Sequence, residues 1–347
     1  MTNNAIPAPV GGLRGLLDAL WRSHSRNDAA VLGIVVATEG STYQKPGALV
    51  LLDDKGLRHG AISGGCLEPA LEQAALTVRE SGCAAIVALD TRSDEDALFG
   101  SGIGCRGLVR VLLLPLPPHA PLARALFTAL DRHDDLSLML NIDGPEPGAG
   151  SATFATGPAT RSVHWNRCGE ADAAHAAATL RIDIAMPPRL LLLGTGPETA
   201  PLAAFARQLG WFVDAVEHRG RWLAYTNAAT IDRLLDLAPE AAVKALAGEH
   251  HDAILAMSHN YAIDLAWLRY AAQSSANYIG LLGPLARRDA LLDELDAVAR
   301  ARLEPRLHAP VGLDLGGHGG EAVALAIVAQ LQRHFSDRRC DVARSDA

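Results

Sequence analysis

Residues 189–219 read RLLLLGTGPETAPLAAFARQLGWFVDAVEHR, and this stretch decides the fold of the C-terminal half of the chain. Its run of leucines predicts a buried strand, the turn GTGP follows, and apolar residues then recur at helical spacing before a second apolar strand. A strand, a glycine turn, a helix and another strand are typical of the first crossover in a doubly wound sheet. The stretch therefore predicts a Rossmann-like domain that begins near residue 188.

The same alternation continues after residue 219. HDAILA (251–256) and NYIGLL (277–282) predict two more buried strands. Near-continuous apolar strands that alternate with helices indicate a parallel sheet covered on both faces. The helices are predicted at YAIDLAWLRYAAQSS (261–275), LARRDALLDELDAVARA (285–301) and GEAVALAIVAQLQRHF (320–335).

The N-terminal half predicts a separate α/β domain. Its helices are GLRGLLDALWRSH (12–24) and CLEPALEQAALTVRES (66–81), the second closed by Gly82. Its β-rich runs are AAVLGIVVATEGS (29–41), GALVLLDDKG (47–56), AAIVALD (84–90) and GLVRVLLLPL (107–116). We therefore expect an N-terminal α/β domain at 10–118, a connector with a helix and short strands at 119–187, a Rossmann-like doubly wound domain at 188–336 and a polar tail at 337–347.

The composition argues against several classes of function. The 347 residues are 49% hydrophobic with a net charge of −8, and Lys and Arg are dispersed, which argues against a nucleic-acid surface. Apolar runs stay below the roughly 20 residues that a membrane span needs, and the first residues lack a signal-peptide pattern, so we expect a cytoplasmic protein. Five cysteines without CxxC spacing indicate free thiols in a reducing compartment.

The turn GTGPET has features of a dinucleotide fingerprint. Gly194 stands where the first glycine makes the tight turn and Gly196 where the backbone approaches a pyrophosphate, while Thr199 takes the third position. Glu217 ends the next strand, where an acid meets a ribose hydroxyl, and Arg219 offers a contact to phosphate instead. The competing interpretation is a ligand-free crossover, since this connection needs glycines whether or not a nucleotide binds.

The block AMSHN lies at the carboxyl end of a predicted parallel strand, which is where open α/β sheets bind ligands. Ser258 and His259 are candidates for hydrogen bonding or proton transfer, and Asp264 is placed to orient the histidine. In the alternative, Ser258 or Asn260 caps the next helix and His259 is a loop residue. The residues alone leave both interpretations open.

The block SGGCLE places a cysteine directly behind two glycines at a predicted helix start. Ser63, Gly64 and Gly65 form the turn, and the unsatisfied amides of a helix start suit an anion. The positive end of the helix favours the thiolate form of Cys66, and Glu68 is placed to accept hydrogen bonds from local amides. The alternative is a buried packing residue, because free cysteines are among the most buried residue types.

A second cysteine, Cys105, lies among glycines in FGSGIGCRG, beside Arg106 and just before a predicted strand. Two thiols in glycine-rich loops of one domain favour a shared site for Cys66 and Cys105. Thiolates are ligands for soft metal centres. The cysteines at 83, 168 and 340 have no comparable setting.

Together these blocks resemble the XdhC/CoxF family of accessory proteins for xanthine dehydrogenase and related molybdenum hydroxylases. The resemblance covers residues 12–115 and 189–335, and it rests on TEGSTYQKPGALVLLDDKG, HGAISGGCLE, GIGCRG, GTG with EHR, AMSHNYAIDL, YIGLLG and VGLDLGG. It implies a maturation chaperone, rather than a catalyst, that binds the molybdenum cofactor, supports its sulfuration and inserts it into the apoenzyme.

The resemblance also implies the cargo, the partners and the binding residues. The cargo is molybdopterin or its dinucleotide form, whose molybdenum Cys66 and Cys105 would face. The partners are an apo molybdenum hydroxylase of the xanthine dehydrogenase type and a cysteine desulfurase; a homodimer suits a transfer protein, and neither nucleic acid nor membrane is expected. The implied cofactor-binding residues are Ser63, Gly64, Gly65, Cys66, Glu68, Cys105, Gly194, Gly196, Glu217, Arg219, Ser258, His259 and Asp264.

The Rossmann-like part departs from the family pattern in three places. GTGP stands where the family commonly has GAGH, so Pro197 removes a backbone donor. GPLARR leaves Arg287 and Arg288 displaced from the usual basic residues, and GGHGGE replaces a proline-containing helix start. Two further functions therefore stand beside the chaperone: an NAD(P)-dependent oxidoreductase, and a scaffold that recruits both enzymes by surface contacts.

Overall fold

The computed structural model describes residues 10–92, 107–142, 147–154, 162–165, 179–223, 226 and 229–345. The chain divides into two compact units, one of Gly12–Met186 and one of Met1–Gly11 with Pro187–Ala347. We refer to them as the N-terminal unit and the C-terminal unit.

An antiparallel five-stranded sheet forms the centre of the N-terminal unit. Its strands are β1 (Ala30–Gly40), β2 (Leu49–Leu52), β3 (Arg58–His59), β4 (Ala85–Asp90) and β5 (Gly107–Leu116). They lie in the order β3-β2-β1-β5-β4, with the two longest strands paired to each other. Each predicted β-rich run of this half therefore contains a strand.

The two faces of this sheet pack against different helices. The helices are α1 (Gly12–Ser25), α2 (Glu68–Ser81) and α3 (Pro121–Arg132). Leu32 and Ile34 of β1 are buried with α1 and α3, whereas Val31 and Val35 are buried with α2. This division follows from the strand itself, because successive side chains point to opposite faces.

A second antiparallel sheet, of four strands, belongs to the same unit. Its strands are β6 (Leu136–Asn141), β7 (Gly150–Phe154), β8 (Ser162–Trp165) and β9 (Thr179–Ile184), in the order β8-β7-β6-β9. Leu136, Leu138 and Leu140 are buried in the cluster that contains α1 and α3. Residues 119–187 thus contribute to the core of the N-terminal unit.

A six-stranded parallel sheet organises the C-terminal unit. Its strands are β10 (Arg189–Leu193), β11 (Phe212–Val216), β12 (Arg233–Leu235), β13 (Ala253–Ala256), β14 (Tyr278–Leu281) and β15 (Leu307–His308). They lie in the order β12-β11-β10-β13-β14-β15. Counted from β10, this is the order 3-2-1-4-5-6 of a doubly wound dinucleotide-binding fold, which confirms the predicted Rossmann-like domain.

Helices cover both faces of this parallel sheet. Leu190 and Leu192 are buried with α4 and α10, and Leu191 and Leu193 with the helices of the opposite face. The run of leucines in β10 therefore reflects burial on two sides. The helices are α4 (Thr199–Gln208), α5 (Gly220–Leu223), α6 (Pro239–Ala245), α7 (Tyr261–Gln273), α8 (Leu285–Asp293), α9 (Ala297–Leu303) and α10 (Gly320–Ser345).

Two helices differ from their predicted extents. The helix predicted at 285–301 is divided into α8 and α9, because Asp296 caps α9 by accepting hydrogen bonds from the amides of Val298 at 2.9 Å and Ala299 at 2.8 Å. Helix α10 continues beyond residue 335 into the predicted polar tail, where the apolar periodicity that marked it has ended. Within the described ranges, no helix has the length and apolar character needed to cross a membrane.

Candidate functional site

The N-terminal unit contains a cleft of about 320 Å³ that opens to solvent. Its walls come from the loop after β1, the segment before α2, and the neighbouring ends of β4 and β5. Small-molecule sites span volumes of about 300–1,000 Å³, so the cleft has the size of a site for one small ligand. Its lining includes Ser41, Thr42, Tyr43, Ser63, Gly64 and Cys66.

The side chain of Cys66 is exposed at this cleft. The interpretation of Cys66 as a buried packing residue is therefore wrong. Helix α2 begins at Glu68, two residues later than predicted, with Pro69 in its first turn. Proline suits that position because an N–H group there would have no partner within the helix. The thiol is thus presented by a loop that leads into the helix.

Glu68 is buried beneath this loop, with 2% of its surface exposed. Its carboxylate accepts hydrogen bonds from the Ser63 amide at 3.0 Å, from the Ser63 hydroxyl, and from the Leu67 amide at 3.2 Å. Burial would raise the pKa of Glu68, but the hydrogen bonds from Ser63 and the backbone outweigh it and hold the pKa below its usual value. Some amides that were expected to await an anion are therefore occupied by the protein's own carboxylate.

The Ser63 hydroxyl links this carboxylate to the rest of the loop. Its oxygen accepts hydrogen bonds from the amides of Gly65 and Leu67, both at 3.1 Å. These two amides flank Cys66 in the chain. The backbone on both sides of the thiol is thus anchored to one buried pair, Ser63 and Glu68.

Gly64 and Gly65 leave open space beside the loop. A Cβ atom at either position would have no heavy atom within 4 Å. Gly65 has a φ of +118°, which residues with a side chain rarely adopt, whereas Gly64 has no positive φ. Internal packing therefore does not explain glycine at position 64, and the close approach of a ligand to the backbone would.

Gly107 borders the cleft at the start of β5. A Cβ atom there would lie 2.6 Å from the carbonyl oxygen of Ser41 and 2.9 Å from that of Glu39, so the approach of β1 requires glycine. The hydroxyl of Thr91 accepts from the Gly107 amide at 3.1 Å and ties the end of β4 to β5. Cys105, which the sequence pairs with Cys66, lies outside the described residues.

The C-terminal unit brings its predicted site residues together where the strand order reverses, between β10 and β13. Doubly wound sheets bind ligands at the carboxyl ends of these strands. A Cβ atom on Gly194 would lie 2.4 Å from Cα of Ser258, and one on Gly196 would lie 2.8 Å from Nε2 of His259. Both glycines are therefore required by the packing of the two loops, whether or not a nucleotide binds.

The amides of the glycine turn are already hydrogen-bonded within the protein. The Thr195 amide donates to Glu217 at 3.0 Å, and the Gly196 amide donates to the hydroxyl of Thr199 at 2.8 Å. Pro197 has no N–H group, and the first residue of α10 packs against its carbonyl group. A pyrophosphate would have to displace these groups, so the geometry favours a ligand-free crossover over the dinucleotide fingerprint.

Glu217 is 2% exposed, and its hydrogen-bonding capacity is used inside the protein. Arg219 binds its carboxylate through Nε at 2.8 Å and a second nitrogen at 2.6 Å, and the amides of Thr195, His218 and Arg219 also donate to it. Burial alone would raise the pKa of Glu217, but the hydrogen bonds from Arg219 and the backbone lower it to about 2. Arg219 also donates to the Ser258 carbonyl at 2.7 Å, so neither side chain is free for a ribose or phosphate.

Asp264 orients Ser258, and not His259 as the sequence suggested. Its carboxylate accepts from the Ser258 amide at 3.0 Å and hydroxyl at 2.5 Å, and its second oxygen pairs with Arg287 at 2.6 Å. Ser258 and Asp264 are both fully buried. Asn260 caps α7 by accepting from the amide three residues on, at 3.1 Å, which confirms the capping interpretation for that residue.

His259 has a left-handed backbone conformation with a φ of +56°, which is uncommon for residues other than glycine. Its Nε2 lies 3.1 Å from the buried carboxylate of Glu198, and its ring stacks on Trp222 with the centroids 6.1 Å apart. The hydrogen bond to Glu198 raises the pKa of His259 above its ordinary value, against the opposing effect of burial. His259 is therefore paired with an acid rather than a passive loop residue.

Asp214, Glu249 and His251 form a cluster whose potential metal-ligand atoms lie within 4.8 Å of one another. Arg233 occupies this cluster, since its guanidinium pairs with Asp214 at 2.8 Å and also with Glu249. His251 Nε2 lies 3.0 Å from the same Asp214 oxygen. The carboxylate charges are already compensated, which makes the cluster an ion-pair network rather than a metal site.

Some residues of both regions have no signal in the sequence that points to a site. Ser41, Thr42 and Tyr43 line the cleft with Cys66, and their available signal was a polar run directly after a predicted strand, where loops often carry ligand contacts. Glu198 and Trp222 contact His259 only through the fold, and no spacing along the chain indicates them.

Two protein-family models match the chain. The model described as the XdhC Rossmann domain matches residues 190–331, and the model described as the XdhC and CoxI family matches residues 23–90. The first match contains the region between β10 and β13, and the second contains the loop that carries Cys66.

Three similar proteins extend the likeness over most of the chain. A Bacillus subtilis (strain 168) protein, named as one of the probable subunits of xanthine dehydrogenase, is 28% identical over 333 residues, which cover 93% of this chain and 97% of that protein. Molybdenum cofactor insertion chaperone PaoD of Escherichia coli (strain K12) is 22% identical over 312 residues, covering 87% and 82%. A crystal structure of a xanthine dehydrogenase from Bacillus halodurans has a TM-score of 0.75 at 26% identity, covering 94% of this chain and 96% of that one.

Proposed function

The chain belongs to the XdhC family, and on that premise we propose that it is a maturation chaperone that binds the molybdenum cofactor and delivers it to a xanthine dehydrogenase-type molybdenum hydroxylase. One relative is named as a chaperone for insertion of this cofactor, and another as part of a xanthine dehydrogenase. In this chain, the observation that supports the role most directly is the exposed thiol of Cys66 on a solvent-open cleft.

The chemistry of the cleft suits a cargo that must be held and later released. A thiolate is a ligand for soft metal–sulfur centres, and the hydroxyl groups of Ser41, Thr42 and Tyr43 offer hydrogen bonds to a polar ring system. A single thiol holds a metal less firmly than the closed set of four ligands found in structural metal sites. We therefore assign the molybdenum end of the cargo to Cys66.

The proposal includes sulfuration of the cofactor by a cysteine desulfurase while the cofactor is bound. Because the cleft opens to solvent, the bound metal centre would be accessible to a second protein. The form of the pterin, a homodimer and a cytoplasmic location stay predictions, and so does a contact of Cys105 with the metal.

The oxidoreductase alternative is not favoured. Dinucleotide binding depends on free amides in the glycine turn and on an acid that is free to bind ribose. Here the amides of Thr195 and Gly196 donate to the protein, and Glu217 is buried and bound to Arg219. We expect NAD(P) to be absent from the purified protein.

Cofactor binding by two variants of the cleft tests the assignment. Cys66→Ala removes the proposed ligand, and Gly64→Ala adds a methyl group that meets no protein atom within 4 Å, so it should obstruct the cargo without disturbing the fold. We expect each to lower the retained molybdenum and pterin by about tenfold, which corresponds to roughly 1.4 kcal/mol of binding free energy. Molybdenum is measured by mass spectrometry and pterin by fluorescence.

Cys83→Ala is the matched control, because it removes a cysteine from the opposite end of α2, and it should retain wild-type loading. Thermal unfolding of G64A should match that of the wild-type protein. Wild-type loading and full activation of an apo hydroxylase by both C66A and G64A would show that the cleft does not hold the cofactor. Retention of NAD(P) in place of pterin would favour the oxidoreductase, and retention of neither would favour a scaffold.

A further inference from the structure

Glu68 has no direct contact with the cleft that the thiol of Cys66 borders. Its side chain is buried, whereas Cys66, two residues earlier, is exposed. Among the described residues that line the cleft, Ser63, Gly64, Cys66 and Leu67 come from this loop and Glu68 does not. A direct contact between Glu68 and the cargo, as the family resemblance implies, therefore has no geometric support.

The hydrogen bonds of Glu68 lead toward Cys66. The carboxylate holds the Ser63 amide and hydroxyl, and the Ser63 oxygen holds the amides of Gly65 and Leu67. Leu67 donates to the carboxylate as well, at 3.2 Å. The residues immediately before and after Cys66 are thus fixed by one buried acid and one hydroxyl, while the thiol between them stays exposed.

The arrangement depends on the negative charge of Glu68. An ionised carboxylate is an acceptor at both oxygens, so it can satisfy two amides and a hydroxyl together. A glutamine of nearly the same size replaces one acceptor oxygen with an NH₂ donor, which would face groups that are themselves donors. At least one of the three hydrogen bonds is then lost, and hydrogen bonds to charged groups contribute about 1.5–3 kcal/mol each.

We propose that Glu68 is a positioning residue, whose buried carboxylate acts through Ser63 to fix the loop and present the Cys66 thiol to the molybdenum end of the cargo. This inference rests on the proposed function. It assigns to Glu68 an effect on cargo affinity that depends on Cys66. A residue that only caps the helix would affect the stability of the protein, and its effect on affinity would not depend on whether the thiol is present.

A double-mutant cycle separates these roles, because interaction energies appear as non-additive effects. We expect Glu68→Gln to weaken binding of the isolated molybdenum cofactor about tenfold in the wild-type background and less than about twofold in the C66A background. Binding is measured by equilibrium ultrafiltration at a temperature where thermal unfolding shows each variant to be folded. Ser63→Ala keeps the acid but removes the linking hydroxyl, and it serves as the second variant if E68Q does not fold.

A ligand-free readout is the rate at which iodoacetamide alkylates Cys66, followed by mass spectrometry of the corresponding peptide. E68Q removes a buried negative charge near the thiol and releases amides that can stabilise a thiolate, so we expect alkylation of Cys66 to be about threefold faster or more. Alkylation of Cys83 in the same sample should not change. Glu72→Gln, on the same helix and paired with Arg58 at 3.2 Å, should leave both the affinity and the alkylation rates unchanged.

The outcomes distinguish this inference from the proposed function. If C66A binds the cofactor as tightly as wild type, the assignment of the cleft fails, whatever E68Q does. If C66A weakens binding but E68Q has no effect, or weakens binding by the same factor in both backgrounds, the cleft assignment stands and the positioning role is wrong. An alkylation rate of Cys66 in E68Q equal to that in wild type would also overturn the positioning role.

Discussion

Single residues at the edge of the parallel sheet are paired in ways that their neighbours in sequence do not suggest. His259 adopts a positive φ, and its ring thereby meets the buried carboxylate of Glu198. Asp264, which is much closer along the chain, binds Ser258 and Arg287 instead. Residues held in such uncommon conformations cluster at functional sites, and the His259–Glu198 pair is the titratable pair of this region.

We predict that the pKa of His259, followed by NMR, lies above about 6.5 in the wild-type protein and falls when Glu198 is replaced by glutamine. The hydrogen bond to Glu198 favours the protonated ring; nearby Asp264 acts in the same direction, and Arg287 opposes both. Because the folded-state pKa is raised, the pair stabilises the fold fully below the unfolded-state pKa, and this contribution is lost as the pH rises through the folded-state pKa.

Asp289→Asn is the control for this titration, since it removes an exposed carboxylate that pairs with Arg288. It should leave the titration of His259 unchanged. A pKa of His259 that does not fall in E198Q would show that the pair does not form in solution.

At the scale of elements, the turn between β10 and α4 is shaped by contact with the loop after β13. Gly194 has a φ of +94°, and a Cβ atom there would lie 2.4 Å from Cα of Ser258. The same residue that a dinucleotide fingerprint requires is thus required by packing between two elements. The presence of glycine therefore cannot distinguish a nucleotide site from a ligand-free crossover.

Gly194→Ala is expected to lower the free energy of unfolding by roughly 2–4 kcal/mol, because it combines backbone strain with a steric overlap against backbone. Gly220→Ala is the matched control: its position has open space and no positive φ, so stability should change by less than about 1 kcal/mol. Urea denaturation followed by circular dichroism measures both. An unfolding midpoint of G194A equal to that of wild type would contradict the packing explanation.

At the scale of the whole molecule, buried acids in both units are held ionised by local donors. The pKa of Glu68 is lowered by Ser63 and the backbone against the effect of burial, and that of Glu217 is lowered to about 2. The pKa of Asp214 is lowered by His251 and Arg233, again against burial. Groups whose folded-state pKa is depressed stabilise the fold above their unfolded-state pKa, and they lose that contribution as the pH falls.

We therefore predict that the unfolding midpoint in urea falls steeply as the pH decreases from about 4.5 toward 2. Glu217→Gln should be less stable than wild type at pH 7, because Arg219 loses its partner, and its stability should decline less over the acid range. Glu240→Gln, at an exposed position, is the control and should follow the wild-type curve. Parallel acid curves for E217Q and wild type would show that Glu217 is not held ionised in the fold.

The sequence by itself determined the parallel sheet, its glycine turn and the helices that cover it, because apolar runs and helical periodicity are local properties of the chain. It also marked SGGCLE as a block with chemistry. It did not place the break between α8 and α9 or the second antiparallel sheet in its core, since these depend on one capping residue and on short strands.

Only the tertiary structure decided which groups of the predicted sites are free. Glu198 and His259 are 61 positions apart, and Thr195 and Glu217 are 22 apart, so neither pairing is visible in any local pattern. These contacts occupy the amides and acids that a nucleotide would use, whereas the fold leaves the thiol of Cys66 exposed on a cleft. The physical reason is that a hydrogen bond depends on distance in space, and residue type and spacing along the chain do not specify that distance.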